Sequence, residues 1–177
     1  ALGDAPDIHA LPVGNAGNIT AYWKGYKEYR SDRMCSQLPA MWGFQAAGSA
    51  PIVKGKIVKN PNTIATAIRI GNPASWQQAI DARDSSGGLI DAVTDKEILA
   101  AYHLIASREG IFVEPSSAAG LAGLIKYQKA GKLPKNKTIV ITVTGHGLKD
   151  IPWALEGAKK PVVVPVSVKA AAKALGL

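Results

Sequence analysis

A short apolar run that leads directly into a turn of glycines and asparagines constrains this chain more than any other feature. The run is Ile8 to Val13, which suits a buried strand, and the turn is Gly14-Asn15-Ala16-Gly17-Asn18. The residues that follow are typical of a helix opening, so we predict a helix at 18–30 with Asn18 as its N-cap. The chain is therefore expected to begin with a strand, a glycine turn and a helix N-terminus.

This order of elements predicts an anion-binding site. Glycine lets the backbone approach a ligand closely, successive N–H groups point at it, and the helix end adds partial positive charge. We expect a phosphate group at residues 14–18. Gly14 and Gly17 are three residues apart and no Lys-Ser/Thr pair follows, so the turn is neither a dinucleotide fingerprint nor a P-loop. A plain turn before a helix would have the same sequence, and both interpretations stand at this point.

Length and composition favour one folded domain in a reducing compartment. The chain has 177 residues, of which 47% are hydrophobic and 19% charged, enough for a sizeable core. We expect no membrane segment, because no apolar run approaches the roughly 20 residues that would span a bilayer. The start, Ala1 to Asp4, has neither an initiator Met nor a signal peptide, so we expect a processed chain or a piece of a longer one. Cys35 is the single cysteine, which fits the cytoplasm.

Charge and histidine spacing argue against nucleic-acid and metal partners. The net charge is +8, but the lysines are scattered and no basic recognition helix or aromatic-basic motif occurs. We therefore expect a solvated basic surface and no nucleic acid. The three histidines are isolated and show no metal-ligand spacing, so we expect no metal site.

The order of predicted elements indicates an α/β fold with an open, mainly parallel sheet and helices on both faces. In such a sheet, ligands bind at the carboxyl ends of the strands. Small-residue turns at 14–18, 46–50 and 144–147 each follow a predicted strand, and we expect all three along one edge. Besides 8–13, the predicted strands are 38–45, 63–73 (a strand or an extended edge), 89–93 and 138–144; the other predicted helices are 75–82, 95–109 and one that begins at Pro115.

Two of these elements have especially clear patterns. The segment Thr138 to Thr144 is β-branched on both faces, which predicts a parallel strand that is buried on both sides. The spacing Thr94-Asp95-Lys96-Glu97 is a capping box, which fixes the start of the helix at 95–109.

Three separated motifs resemble the threonine synthase family, fold-type II enzymes that use pyridoxal 5′-phosphate. Gly14 to Asn18 resembles the loop that binds the cofactor phosphate through backbone amides. Glu114-Pro115-Ser116-Ser117-Ala118-Ala119 is similar to the Glu-Pro-Ala/Ser-Ser-Ala pattern of the fold type. Val143-Thr144-Gly145-His146-Gly147-Leu148-Lys149-Asp150 is similar to the Thr-Gly-x-Gly-Leu-Lys-Asp segment, which favours threonine synthase over serine or threonine dehydratases.

The resemblance implies roles for six residues. The phosphate loop consists of Gly14, Asn15, Ala16, Gly17 and Asn18, and the hydroxyl of Thr144 hydrogen-bonds the pyridine nitrogen. A neutral partner leaves that nitrogen at most weakly protonated and makes the ring a milder electron sink. From the residues alone, Thr144 could equally be a strand-terminal residue that caps a turn.

Three neighbouring side chains carry open alternatives. Asn18 could also face the substrate phosphate. Glu114 could shape the pocket or bind nearby backbone N–H groups. His146 could tune the site or serve in packing.

The family forms its Schiff base through a lysine in a Ser-x-Lys-x-Arg-like segment upstream of the phosphate loop, and no such segment occurs here. The loop that binds the substrate carboxylate is also missing. We therefore expect residues 1–177 to be the C-terminal part of the large cofactor-binding domain. The tail at 159–177 is expected to be a C-terminal arm across the domain or an oligomer contact. No catalytic residue is assigned, and the chain alone is expected to be inactive.

The resemblance further implies the reaction and the partners. The complete enzyme would convert O-phospho-L-homoserine and water into L-threonine and phosphate, as a cytoplasmic homodimer that includes the missing N-terminal half. Two alternatives remain open: a serine/threonine dehydratase of the same fold type, and an inactive fragment that binds phosphate or pyridoxal phosphate.

Overall fold

A computed structural model describes residues 2–156 and 161–177 of the chain, and these residues form an α/β fold. The strands are β1 (Ile8–Pro12), β2 (Ala40–Ala46), β3 (Leu89–Val93) and β4 (Ile139–Ile141). The helices are α1 (Gly17–Ser31), α2 (Pro51–Lys54), α3 (Trp76–Ser85), α4 (Asp95–Glu109), α5 (Ala119–Lys129), α6 (Ile151–Leu155) and α7 (Val168–Leu175). Short 3-10 turns lie at Thr66–Ile68, Pro115–Ala118 and Gly147–Asp150.

The four strands form one parallel sheet in the order β3-β2-β1-β4. In the register, Leu11 of β1 lies opposite Gly43 of β2, and His9 lies opposite Val140 of β4. Because β1, β2 and β4 are parallel, the turns that follow them all lie at the same end of the sheet, where the strands have their carboxyl ends, as predicted.

Helices cover both faces of the sheet. On one face, α1 and α3 pack on the buried Leu11 and Met41. On the other face, α4 and α5 pack on Ala10 and Phe44. The alternation of side chains along each strand supplies both faces, which is why these strands are apolar throughout. The predicted fold class is confirmed.

Helix α4 occupies the predicted range, and its capping box is complete. The Thr94 hydroxyl accepts a hydrogen bond from the backbone N–H of Glu97, while the Glu97 carboxylate accepts one from the N–H of Thr94. At the other end, Gly110 has a φ of 67°, a left-handed conformation that suits glycine and ends the helix.

The segment 63–73, predicted as a strand or an extended edge, is not a strand. It contains the 3-10 turn Thr66–Ile68, and its polar groups bond outside the sheet. The Thr63 hydroxyl donates to the Asp95 carboxylate, and the N–H of Ala67 donates to the Ser116 hydroxyl at 3.1 Å. The polar groups of this segment therefore bond to Asp95 and Ser116 rather than to a neighbouring strand.

One further prediction differs from the structure, and another falls only partly within the described residues. Strand β4 is shorter than 138–144, and it lies at the edge of the sheet with its residues half-buried rather than buried on both faces. The predicted arm at 159–177 falls partly outside the described residues. Its described part, 161–177, contains α7, which has no buried residue, and the role of an arm stays a prediction.

None of the helices within the described residues is long and apolar enough to cross a membrane.

We predict opposite effects for alanine at two helical glycines. A Cβ at Gly123 of α5 would overlap the ring of the buried Phe44, so Gly123→Ala should lower the free energy of unfolding by about 1–3 kcal/mol. Gly25 of α1 has no atom within 4 Å of such a Cβ, so Gly25→Ala should instead raise it by about 0.5–1 kcal/mol. Urea unfolding of both variants measures the difference, and equal effects would contradict the packing of α5 on β2.

We also predict that His9 makes stability depend on pH. Burial in β1 lowers the pKa of His9 from 6.5 to about 4. The unfolded chain therefore takes up a proton at a higher pH than the folded chain, and stability is lost as pH falls from about 6.5 towards 4, by up to about 3 kcal/mol in total. Urea unfolding at pH 7 and pH 5 measures the difference in the free energy of unfolding between the two pH values. This difference should be smaller in His9→Gln than in the wild type. An unchanged difference would show that His9 titrates normally.

Candidate functional site

A cavity of about 390 Å³ lies at the carboxyl ends of β1 and β4. All six residues predicted as a cofactor site line it, and their role toward a ligand remains a prediction. The complete lining is Pro12, Gly14, Asn15, Ala16, Gly17, Asn18, Ala67, Ile68, Glu114, Ser116, Thr144, Gly145 and Lys149. The turn at 46–50 follows β2 at the same edge but does not line this cavity.

The turn after β1 contains a row of backbone N–H groups that do not take part in the sheet. The N–H of Val13 still belongs to the sheet and donates to the Phe44 carbonyl at 2.8 Å. Among the described residues, none accepts a hydrogen bond from the five N–H groups of Gly14 to Asn18. Backbone N–H groups in folded proteins are rarely left unpaired, and an anion at a helix N-terminus is their natural acceptor.

Ala16 gives the turn its shape. Its backbone is left-handed, with φ of 66° and ψ of 7°, and it is the N-cap of α1. Left-handed residues next to right-handed ones make backbone N–H groups converge on a concave anion site. This conformation costs a residue with a Cβ about 1–2 kcal/mol, so the surrounding contacts must hold it in place.

The two asparagine side chains supply those contacts. Asn18 donates from Nδ2 to the Pro12 carbonyl at 2.7 Å and accepts at Oδ1 from the N–H of Ile19 at 2.8 Å. Asn15 accepts at Oδ1 from the N–H of Ala74 at 2.7 Å. The prediction of Asn18 as the N-cap was therefore wrong: helix α1 begins one residue earlier, and the Asn18 side chain bonds the end of β1 instead of capping the helix.

Residue 14 must be a glycine because the 3-10 turn Thr66–Ile68 packs directly against it. A Cβ at this position would lie 2.9 Å from Cα of Ile68, too close for any side chain. Ala67 and Ile68, which also line the cavity, belong to this 3-10 turn, in the segment that was predicted as a strand or an extended edge. Sequence reasoning did not place them at the site, because they are apolar and belong to no motif.

Thr144 also lines the cavity and is held in place by the fully buried Ser117. The Ser117 Oγ lies 2.9 Å from Oγ1 of Thr144 and accepts hydrogen bonds from the N–H groups of Thr144 at 3.0 Å and Gly145 at 2.7 Å. Ser117 is thus a positioning residue for Thr144. The sequence motif contained Ser117, but its pairing with residues 144–145 required the fold.

One acidic and one basic side chain complete the lining. Glu114 is only 3% exposed, and its Oε2 lies 4.0 Å from Nζ of Lys149. No backbone N–H among the described residues donates to this carboxylate, so of its two predicted roles only the shaping of the pocket agrees with the structure. His146 does not line the cavity; it packs edge-on against Phe112, with ring centroids 5.4 Å apart.

Sequence comparison identifies relatives over the whole chain. The family described as "Pyridoxal-phosphate dependent enzyme" matches residues 1–145. A protein named threonine synthase from Mycobacterium leprae is 57% identical over 177 residues, which are 100% of this chain and 49% of that protein. A threonine synthase from Synechocystis is 48% identical, with 99% of this chain and 46% of that protein covered. The chain thus spans about half the length of these relatives, and the predicted resemblance is confirmed.

Structure comparison finds the same fold in enzymes of other names. A fungal L-serine ammonia-lyase from Rhizomucor miehei has a TM-score of 0.66 at 22% identity, covering 84% of this chain and 49% of that one. The processed form of threonine deaminase isoform 2 from Solanum lycopersicum has a TM-score of 0.64 at 21% identity, covering 84% of this chain and 42% of that one. At this identity the likeness shows the fold alone.

We predict that removal of the Ser117 hydroxyl destabilises the wall of the cavity. Ser117→Ala leaves the N–H groups of Thr144 and Gly145 without their acceptor, which should lower the free energy of unfolding by about 1–3 kcal/mol. The exposed Ser107 is the matched control, and Ser107→Ala should change it by less than about 0.5 kcal/mol. Urea unfolding tests both variants; equal, small effects would contradict the role of Ser117.

Proposed function

The chain belongs to the pyridoxal-phosphate dependent enzyme family, and we propose that it is the C-terminal portion of a threonine synthase. The complete enzyme would convert O-phospho-L-homoserine and water into L-threonine and phosphate. One observation carries the proposal: the unpaired N–H groups of residues 14–18 and the hydroxyl of Thr144 line the same cavity. The identity of 57% to a protein named threonine synthase supports this choice within the family.

The turn at residues 14–18 is suited to the phosphate of pyridoxal phosphate. Its N–H groups would donate to the phosphate oxygens, in hydrogen bonds that a charged acceptor makes short and strong. The N-terminus of α1 adds the positive end of the helix dipole. Gly17 leaves open space, since nothing lies within 4 Å of a Cβ built there. The residues present therefore fit the group.

Thr144 would hold the other end of the cofactor, at its ring nitrogen. When bound, pyridoxal phosphate supplies an electron sink for the amino-acid substrate. The Thr144 hydroxyl would donate to that nitrogen or accept from it without adding charge. The hydrogen bond to Ser117 fixes where this hydroxyl lies, at 2.9 Å between the two oxygens.

This chain does not supply the upstream lysine that the resemblance requires. Lys149 lines the cavity, but it lies in the motif after β4 and forms an ion pair with Glu114. We propose that proton transfers depend on the N-terminal half of the enzyme and that the chain alone does not turn over substrate. The complete enzyme would be a cytoplasmic homodimer, and the lack of any second cysteine fits a reducing compartment.

The direct test combines the chain with the part of the Mycobacterium leprae relative that it does not match. With pyridoxal phosphate and O-phospho-L-homoserine, the mixture should form L-threonine and phosphate in equal amounts, while the chain alone should form neither. Conversion of L-serine or L-threonine to a 2-oxo acid and ammonia, without action on O-phospho-L-homoserine, would instead favour a dehydratase.

We predict that a negative charge in the turn weakens binding of pyridoxal phosphate. Gly17→Asp has room in the structure and places an acid at the first position of α1, where it should not destabilise the helix. Repulsion of the phosphate should raise Kd at least tenfold, measured by titration calorimetry with the 177-residue chain. Gly25→Asp, also in open space on α1, is the matched control and should leave Kd within twofold. Equal losses in both variants would show that the phosphate does not bind at residues 14–18.

A further inference from the structure

The 3-10 turn Thr66–Ile68 lies in residues 55–75, a long connection from α2 to α3 that contains no other helix or strand. Ordered connections longer than about 15 residues are uncommon in compact domains, and they usually have a function. Ala67 and Ile68 line the cavity, yet the turn belongs to none of the three motifs of the site. The contacts that hold this turn in place therefore affect the shape of the cavity.

The residues on either side of the turn bond to parts of the chain that do not line the cavity. Before the turn, the N–H of Ile64 donates to the Asp95 carboxylate at 3.2 Å. After the turn, the Ile70 carbonyl accepts from the Ser49 hydroxyl at 3.0 Å. Neither Asp95 nor Ser49 lines the cavity. These bonds hold the two ends of segment 64–70, and the turn at its centre depends on other contacts.

Two hydrogen bonds join the turn to two motifs of the site. The Thr66 hydroxyl donates to Oδ2 of Asp150 at 3.0 Å, and Asp150 is the last residue of the motif that contains Thr144. The N–H of Ala67 donates to the hydroxyl of Ser116 at 3.1 Å, in the motif before α5. The turn thus bonds on one side to the segment after β4 and on the other to the start of α5.

The bond between Thr66 and Asp150 is important because the acceptor is a buried carboxylate. Asp150 is only 8% exposed, whereas Thr66 is exposed. Among the described residues, no group other than the Thr66 hydroxyl donates a hydrogen bond to this carboxylate. A buried carboxylate is unfavourable without hydrogen bonds, and a bond to a charged acceptor is stronger than one between neutral groups. The Thr66 hydroxyl should therefore hold the turn firmly at Asp150.

The turn contacts the remaining motif by packing against Gly14. A Cβ at Gly14 would lie 2.9 Å from Cα of Ile68 and 3.0 Å from the carbonyl oxygen of Ala67. Gly14 is the first residue of the turn at 14–18, so the backbone of that turn lies directly against the 3-10 turn. A shift of the 3-10 turn would remove this support from the N–H groups of residues 14–18.

We propose that Thr66 and Asp150 are positioning residues: their hydrogen bond holds the 3-10 turn against Gly14 and so keeps the N–H groups of residues 14–18 directed at an anion. The inference rests on the proposed function for the identity of that anion, which is the phosphate of pyridoxal phosphate. It connects the motif after β4 to the turn after β1 through a segment that lies outside every motif.

Thr66→Val tests the proposal in the 177-residue chain without any ligand, because it removes the hydroxyl and keeps the shape of the side chain. Thr66 is exposed, so the variant should fold. By NMR, the amide of Ala67 should exchange about fivefold faster or more, because the turn loses one of the two bonds that hold it. The amide chemical shifts of residues 14–18 should change as well.

Two further variants serve as controls. Thr66→Ser keeps the hydroxyl and should restore both the exchange rate and the chemical shifts of the wild type. Thr138→Val makes the same substitution at another exposed threonine, whose hydroxyl has no hydrogen-bond partner within the part of the chain that the structure describes. It should change neither measurement.

Titration calorimetry with pyridoxal phosphate measures the consequence for binding. The Kd should rise about fivefold or more in Thr66→Val, because the N–H groups of residues 14–18 are less well ordered. It should stay within twofold of the wild type in Thr66→Ser and in Thr138→Val.

The outcomes separate this inference from the proposed function. Unchanged exchange at Ala67 or unchanged shifts at residues 14–18 in Thr66→Val would overturn the positioning role, and so would an unchanged Kd or equal effects in Thr138→Val. If the wild-type chain does not bind pyridoxal phosphate, that result counts against the proposed function. Faster exchange and changed shifts in Thr66→Val, restored in Thr66→Ser, would then still support the positioning role.

Discussion

The unpaired N–H groups after β1 are the feature on which the rest of the site depends. Within the part of the chain that the structure describes, five N–H groups of this turn have no acceptor, which is unfavourable unless the turn is held in place and an anion accepts from it. Asn15 and Asn18 hold it through side-chain hydrogen bonds to Ala74 and Pro12, so these side chains support the turn while its backbone lines the cavity. Ala16 supplies the left-handed turn that these supports stabilise.

The parallel sheet explains why this turn meets Thr144. Strands β1 and β4 are neighbours although their sequences lie more than a hundred residues apart, and their carboxyl ends open into one cavity. Ser117 then joins the motif at the start of α5 to the turn after β4 through three short contacts. The motifs that begin at Gly14, Glu114 and Val143 are remote in sequence, and the order of the strands in the sheet brings them to one cavity.

Local signals in the sequence were sufficient for much of this structure. The capping box predicted α4 to the residue, and the glycine turns that follow apolar runs lie at the carboxyl ends of the strands, as predicted. The strand predicted at 63–73 failed because its polar groups bond to Asp95 and Ser116, which only the tertiary fold brings near. The burial of β4 was mispredicted for another reason: its pattern is that of an internal strand, and this chain alone does not cover it.

We propose that the N–H groups of residues 14–18 bind the phosphate of pyridoxal phosphate. Amide chemical shifts of the isotope-labelled chain, recorded with pyridoxal phosphate and with pyridoxal, test it most directly. We expect large shifts for these five amides with the phosphate ester and small ones with pyridoxal, because only the ester offers the anion. Shifts that are the same with both compounds, or that occur elsewhere in the chain, would contradict it.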